Sequence, residues 1–363
     1  YANEKSYLPV EGLHRLRKVV ADHYVNEESL SFTSKNILIG PGSKELMYIL
    51  QMVLDCTMII PSPSWVSYEP QSIILNKKHI FLDTSYKSKW KITASSLEEK
   101  CKKIKGLKLL ILNYPNNPTG LSYTKEELKS IAKICKENHT LVLSDEIYSR
   151  LHHRNDHVSV SKYYPEGTII TSGLSKWCGA GGWRLGALIF PKELTHIKNI
   201  LRNIVSETFT SVSAPIQYAA VKAYSEDHSK YLSNSRLILQ TIGNYIFREL
   251  TAIGIKCKKP QGGFYMLCDF TNIVKKNNKI LNSKMLCDKI LKETGFAMLP
   301  GSDFGMYEEL FVTRIAFVDF DGKKALKYVK YKKNLSYDFI KIICPKIFRG
   351  IEKLKKWIQE IDN

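Results

Sequence analysis

No stretch of this 363-residue chain approaches the roughly 20 consecutive apolar residues that span a bilayer. The strongest apolar run, near 49–60, is broken by Asp55. No charged-then-apolar leader opens the sequence either, so neither a membrane nor a secretory destination is expected. Cysteines are present at 56, 101, 135, 178, 257, 268, 287 and 344, but none fall in a C-x-x-C pair and no His–Cys cluster has zinc spacing. That pattern points to free, mostly buried thiols in a reducing compartment and to no metal, and the expected location is cytoplasmic. The polar stretch holding His152, His153 and His157 has no helix or strand period that would hold imidazoles convergent, so a solvated loop is expected there. Internal repeats and long low-complexity linkers are also missing.

Charge is what the chain has in excess. Lys and Arg total 54 against 35 Asp and Glu, a formal net charge of +19. Such a balance raises nucleic-acid binding as an alternative. The lysines are dispersed, however, with only short clusters at 102–108, 275–279 and 327–333. Asn and Ile are plentiful too, which suggests biased composition rather than a phosphate-binding track. No nucleic-acid module accompanies the charge, so no nucleic-acid partner is expected.

With 44% hydrophobic residues, the length allows one large or two unequal domains. Short apolar runs at 57–60, 79–83, 107–114, 140–145, 167–172 and 184–190 read as strands alternating with helices, the pattern of a mostly parallel α/β sheet. Thr124 and Glu127 form a capping box ahead of a helix running to about Asn138. Helical patterns dominate from about 191 to 250. Strand-like runs at 264–270, 296–300 and 310–318 follow, with a helix between and another at the C-terminus. The expected division is a large α/β domain over 1–230 and a smaller α+β domain over 231–363.

The densest chemical signal is SGLSKWCGAGGWRLG at 172–186. It places Lys176 just past a strand, at the carboxyl edge where ligands gather in open α/β sheets. Small residues around it leave room for a flat group and close backbone approach. Arg184, eight residues on, offers a planar fork to a phosphate. A dinucleotide fingerprint fails, because G-x-G-x-x-G needs glycine where Arg184 stands. LVLSDEIY at 141–148 ends an apolar strand on Asp145, a carboxylate at the strand edge where ligands gather, though a helix cap after a strand is also a common place for an Asp. ILIGPGSKEL at 37–46 opens a helix to about Leu54, whose first N–H groups form a ready anion site. In FVTRIAFV at 311–318, Arg314 lies within an otherwise apolar strand, and a buried arginine needs an anionic partner.

From Gly173 to Gly186 the chain resembles, position for position, the pyridoxal-phosphate attachment signature of class-I aminotransferases, the aspartate-aminotransferase-like family of fold type I. NYPNNPTG at 113–120, IIPSPSWVSY at 59–68, PGSDFG at 300–305 and SYLPVEGL at 6–13 extend the likeness in the family's order. The resemblance implies a seven-stranded, mostly parallel sheet between helices and pyridoxal 5′-phosphate as cofactor. It implies that Lys176 carries the cofactor as a Schiff base, that Asp145 holds the ring nitrogen, and that Tyr148 and Asn117 bond the phenolic oxygen. Trp65 is the ring-stacking aromatic. Arg184, with the backbone N–H groups of Ser43 and Lys44, holds the phosphate, and Arg314 grips the substrate α-carboxylate. Tyr7 corresponds to a tyrosine that reaches the phosphate site of a neighbouring subunit, implying a homodimer with shared active sites.

Four departures accompany the likeness. The family's first several dozen residues, which help close the substrate pocket, have no counterpart before Tyr1. Gly173 replaces the usual serine three positions before the lysine, leaving Ser175 or Ser172 to supply that donor. The arginine that binds the distal carboxylate in dicarboxylate-specific members is not visible in SETFTSVS at 206–213. The Lys-rich segment after Asp321 is longer than the family pattern.

The function implied is ping-pong transfer of the amino group of an L-amino acid to a 2-oxo acid, with Lys176 as the proton-transfer base. A lyase or decarboxylase on the same fold is the alternative, since the cofactor supports both.

Overall fold

The computed structural model describes residues 5–28, 30–274, 280–330, 332 and 334–362. The lysine cluster at 275–279 lies outside them.

Seven strands form the main sheet: β1 (Ile37–Gly40), β2 (Thr57–Ser62), β3 (His79–Asp83), β4 (Lys108–Asn113), β5 (Thr140–Asp145), β6 (Thr168–Gly173) and β7 (Gly186–Ile189). Their order is β1-β7-β6-β5-β4-β2-β3. Strands β2 to β6 pair in parallel, whereas β7 runs antiparallel to both β1 and β6. Every residue of β4 and β6 is buried, as expected for strands covered on both faces. One face packs on the helices Ser43–Val53 and Thr195–Glu207. The other packs on Ala94–Lys102 and Lys125–Glu137. The capping box of that last helix forms, with Thr124 accepting from Glu127 N.

Sequence periodicity does not mark β1, because four apolar residues run straight into a helix. Its place comes from long-range pairing with β7. Strand β7 starts later than the apolar run does, because Arg184 takes a left-handed conformation with φ of 50°.

A second, fully antiparallel sheet follows in the order β10-β11-β9-β8, built from β8 (Lys256–Cys257), β9 (Tyr265–Asp269), β10 (Leu299–Pro300) and β11 (Val312–Ala316). The 24-residue helix Ser229–Ala252 leads into it, and Pro345–Asp362 closes the chain. One apolar core runs from the helix His14–Glu28 through both, and includes Leu16, Ile242, Phe317 and Leu354. Both sheets are thereby tied together beside the carboxyl ends of β4, β5 and β6.

The histidine stretch is not a solvated loop. His152 and His153 are buried, and His157 stacks on Tyr114 with ring centroids 5.0 Å apart. Long-range partners outweigh the lack of periodicity. His153 Nε2 lies 3.1 Å from the Gly263 carbonyl, and His157 Nε2 lies 3.3 Å from buried Glu146. No group of three side chains able to hold a metal occurs among the described residues. All eight cysteines are free, and all but Cys178 are buried. Among the described residues, no helix is long and apolar enough to cross a membrane.

Candidate active site

A cavity of about 410 Å³ opens where β4, β5 and β6 end, within the usual range for small-molecule sites. The register explains the convergence, since Asn113 sits opposite Asp145, and Asp145 opposite Thr171 just ahead of the Lys176 turn. Ser43, Lys44, Trp65, Asn117, Asp145, Tyr148, Ser175, Lys176, Arg184 and Arg314 all line it, together with Asn113, Ile147, Gly181 and Tyr265. Tyr7 does not line it, and is 87% exposed.

Asp145 is the most constrained charge in the cavity. It is 3% exposed and accepts hydrogen bonds from the Tyr68 hydroxyl at 2.7 Å and from Ile147 N at 3.2 Å. Burial pushes its carboxyl up to about 6 against those two stabilising donors. Lys176 is half-buried beyond the end of β6. Burial lowers its pKa, Asp145 opposes that, and the cations of Arg184, Arg314 and Lys44 push it lower again. A lysine held below its ordinary value is better able to lose a proton and act as nucleophile or base.

The anion end is made by a helix start and an arginine. Gly42 caps the helix Ser43–Val53 with φ of 92° and no side-chain cap bond. A Cβ there would come within 2.4 Å of Arg184 Nη2, so only glycine lets the guanidinium lie against the helix start. Arg184 is fixed by bonds from Nη1 to the Gly181 carbonyl at 2.9 Å and from Nη2 to the Pro41 carbonyl at 3.3 Å. A Cβ on Gly173 would sit 2.6 Å from the Leu185 carbonyl. The turn that presents Lys176 is therefore too close to β7 for the serine common at that position. Ser175 lines the cavity instead.

At the opposite wall, Arg314 donates from Nη1 to Asn117 Oδ1 at 3.2 Å. Its Nε is buried with no hydrogen-bond partner, and no carboxylate pairs with it among the described residues. An arginine left so is poised for an incoming anion. Its guanidinium lies over the rings of Tyr265 at 4.6 Å and Phe304 at 4.9 Å. Asn113 braces the Asn117 loop, accepting from Asn117 N at 2.8 Å and donating to the Asp145 carbonyl at 3.0 Å. Trp65 packs edge-on to Tyr68 at 5.4 Å, with Lys44 Nζ 5.0 Å from its ring.

Tyr68, Tyr265 and Asn113 are the residues that sequence reasoning missed. Asn113 stood in the 113–120 motif but carried no separate signal. Tyr68 and Tyr265 carry no local feature that sets them apart from core aromatics, and only tertiary contact brings them to Asp145 and Tyr148. Together, the half-buried lysine, the buried carboxylate and the arginine beside a helix start fit a flat aldehyde with a basic ring nitrogen and a phosphate.

Comparison with known proteins identifies the family. Residues 2–320 match the family model described as aminotransferase class I and II. An aspartate aminotransferase of Bacillus sp. (strain YM-2) is 32% identical over 307 residues, covering 82% of this chain and 76% of the relative. A probable N-acetyl-LL-diaminopimelate aminotransferase of Bacillus subtilis (strain 168) is 31% identical, with 87% and 78% coverage. Among solved structures, an aromatic aminotransferase from Pyrococcus horikoshii OT3 superposes with a TM-score of 0.82 at 25% identity, covering 98% of this chain and 88% of that one.

Proposed function

We propose, from the premise that this chain belongs to the aminotransferase class I and II family, that its cavity binds pyridoxal 5′-phosphate through Lys176. The protein is an enzyme of the transaminase type, and the family is pyridoxal-phosphate-dependent. In this reading residues 1–230 form the cofactor-binding domain and 231–363 the smaller one. The observation that carries the reading is the buried Asp145 carboxylate facing the same cavity as Lys176, Arg184 and Arg314.

When bound, the cofactor supplies an electron sink for a deprotonated substrate carbon. The chain's own residues do the rest. Asp145, an anion buried at energetic cost, is relieved by a protonated ring nitrogen and keeps it protonated. Arg184 and the N–H groups of Ser43 and Lys44 hold the phosphate. Tyr148 and Asn117 hydrogen-bond the phenolic oxygen, and Trp65 covers the ring face. Arg314 grips the α-carboxylate through its unpaired Nε edge, which fixes the direction of the bond to be broken. Lys176 Nζ, displaced by the incoming amine, takes the α-proton and later gives it up. The second half-reaction with a 2-oxo acid reverses these roles.

The functional unit in this reading is a homodimer in which Tyr7 completes the partner's phosphate site; the uncovered Tyr7 ring supports it. The eight free thiols support a reducing, cytoplasmic location. The relatives' names offer aspartate, N-acetyl-diaminopimelate and aromatic amino acids as donors. A panel of amino donors assayed against 2-oxoglutarate selects among them. Oxo-acid-dependent amino transfer is the expected result, and amine or carbon dioxide release without an oxo acid would instead identify a lyase or decarboxylase.

A further inference from the structure

The Tyr148 hydroxyl donates to the Tyr265 hydroxyl at 3.3 Å, and both side chains are buried. The two come from different sheets. Tyr148 follows β5 of the main sheet, while Tyr265 begins β9 of the second. Their rings meet edge-on, with centroids 5.9 Å apart at 84°.

The approach is enforced by backbone. Gln261 N and Gly262 N both donate to the Gly120 carbonyl, at 2.7 and 3.1 Å. Gln261 Oε1 accepts from Ser122 N at 2.8 Å, and Gly263 N donates to the Leu151 carbonyl at 3.2 Å. These bonds strap the strand entry onto the loops that carry Asn117 and Tyr148. The same Tyr265 ring lies under the Arg314 guanidinium at 4.6 Å. One side chain thus touches both the proposed carboxylate-binding arginine and the proposed ring-tuning tyrosine.

A phenolic hydroxyl has a single proton to donate. Tyr148 cannot donate at once to Tyr265 and to a cofactor oxygen. We infer that Tyr265 is a positioning residue of the loaded enzyme, whose hydroxyl donates to Tyr148 so that Tyr148 donates onward to the phenolic oxygen. This inference rests on the role proposed above for Tyr148. Two hydroxyls in series polarise each other, so the outer one strengthens the inner donor. It also holds that donor in one rotamer while the Tyr265 ring supports Arg314.

The test is a spectrophotometric pH titration of the cofactor band in holoenzyme carrying Tyr265→Phe, Tyr148→Phe, or both. The phenyl ring retains the packing, so only the hydroxyl is lost. A weaker donor to the phenolic oxygen stabilises its anionic form less, so the Tyr265→Phe midpoint should rise by on the order of half a unit. The KM for the amino acid should stay near that of the parent while kcat falls several-fold. Tyr148→Phe should raise the midpoint more, and adding Tyr265→Phe to it should change nothing further. An unmoved midpoint in Tyr265→Phe, with Tyr148→Phe shifted, overturns the inference alone. A Tyr265→Phe shift that persists in the Tyr148→Phe background overturns it too. An unmoved Tyr148→Phe midpoint removes the reading of Tyr148 on which it stands.

Discussion

The Tyr68 hydroxyl, carried at the start of the helix Tyr68–Ile74, donates to Asp145 Oδ2 at 2.7 Å inside the protein. Burial and the neighbouring carboxylate both raise the Tyr68 pKa, so it stays a protonated donor. Its hydrogen bond favours the charged form of Asp145.

Tyr68→Phe should therefore raise the Asp145 pKa further and weaken the hold on a cationic ring nitrogen. A hydrogen bond to a charged group contributes about 1.5–3 kcal/mol. Cofactor affinity, measured by spectral titration, should fall by about 10- to 100-fold. An unchanged affinity would mean that Asp145 does not depend on this donor.

Without cofactor, the buried Asp145 destabilises the fold at neutral pH. Its carboxyl titrates at about 6 when folded and near 3.8 otherwise. Between those values the folded chain binds more protons than the unfolded one, so stability is full at low pH and is lost as pH rises through about 6. Asp145→Asn should stabilise cofactor-free protein in urea unfolding at pH 7.5 by up to about 3 kcal/mol. The gain should shrink by pH 4.5. A pH-independent difference would contradict the assignment of this titration.

Arg314→Lys keeps the charge but loses the planar fork and the Nε donor. The value of kcat/KM for the amino donor should drop by about 10²-fold or more, as for loss of a bidentate ion pair. The spectrum of bound cofactor should not change. A drop in cofactor binding instead would place Arg314 at the wrong ligand.

These residues differ in how far the sequence alone exposes them. Lys176, Asp145, Arg184 and Arg314 announce themselves because each breaks a local rule. A lysine sits in a glycine-rich turn, and charged groups end or interrupt apolar strands. Tyr68 and Tyr265 break none, since a buried aromatic is the ordinary outcome for such a residue. The parallel strands were legible from their apolar runs, whereas β1 and β8 were not, being too short to show a period. The burial of the histidines is hidden from the local sequence for the converse reason. His153 and His157 are held by partners more than ten residues away, Gly263 and Glu146, which no local pattern encodes.

A composite site across two subunits predicts complementation. Tyr7→Phe and Lys176→Ala chains, each impaired alone, should regain part of the activity when unfolded and refolded as a mixture. If both lesions fall in one shared site, the heterodimer's other site is intact. An active species that sediments as a monomer at assay concentration would contradict a shared site.

The central claim is that Lys176 Nζ is the amine that carries the cofactor. Reducing the reconstituted protein with borohydride fixes the pyridoxyl group to whichever lysine holds it, and peptide mass spectrometry then locates the mass increment. The account predicts the increment on Lys176 and its loss in Lys176→Ala. An increment on Lys44 or another lysine, with Lys176 unmodified and the protein active, would contradict it.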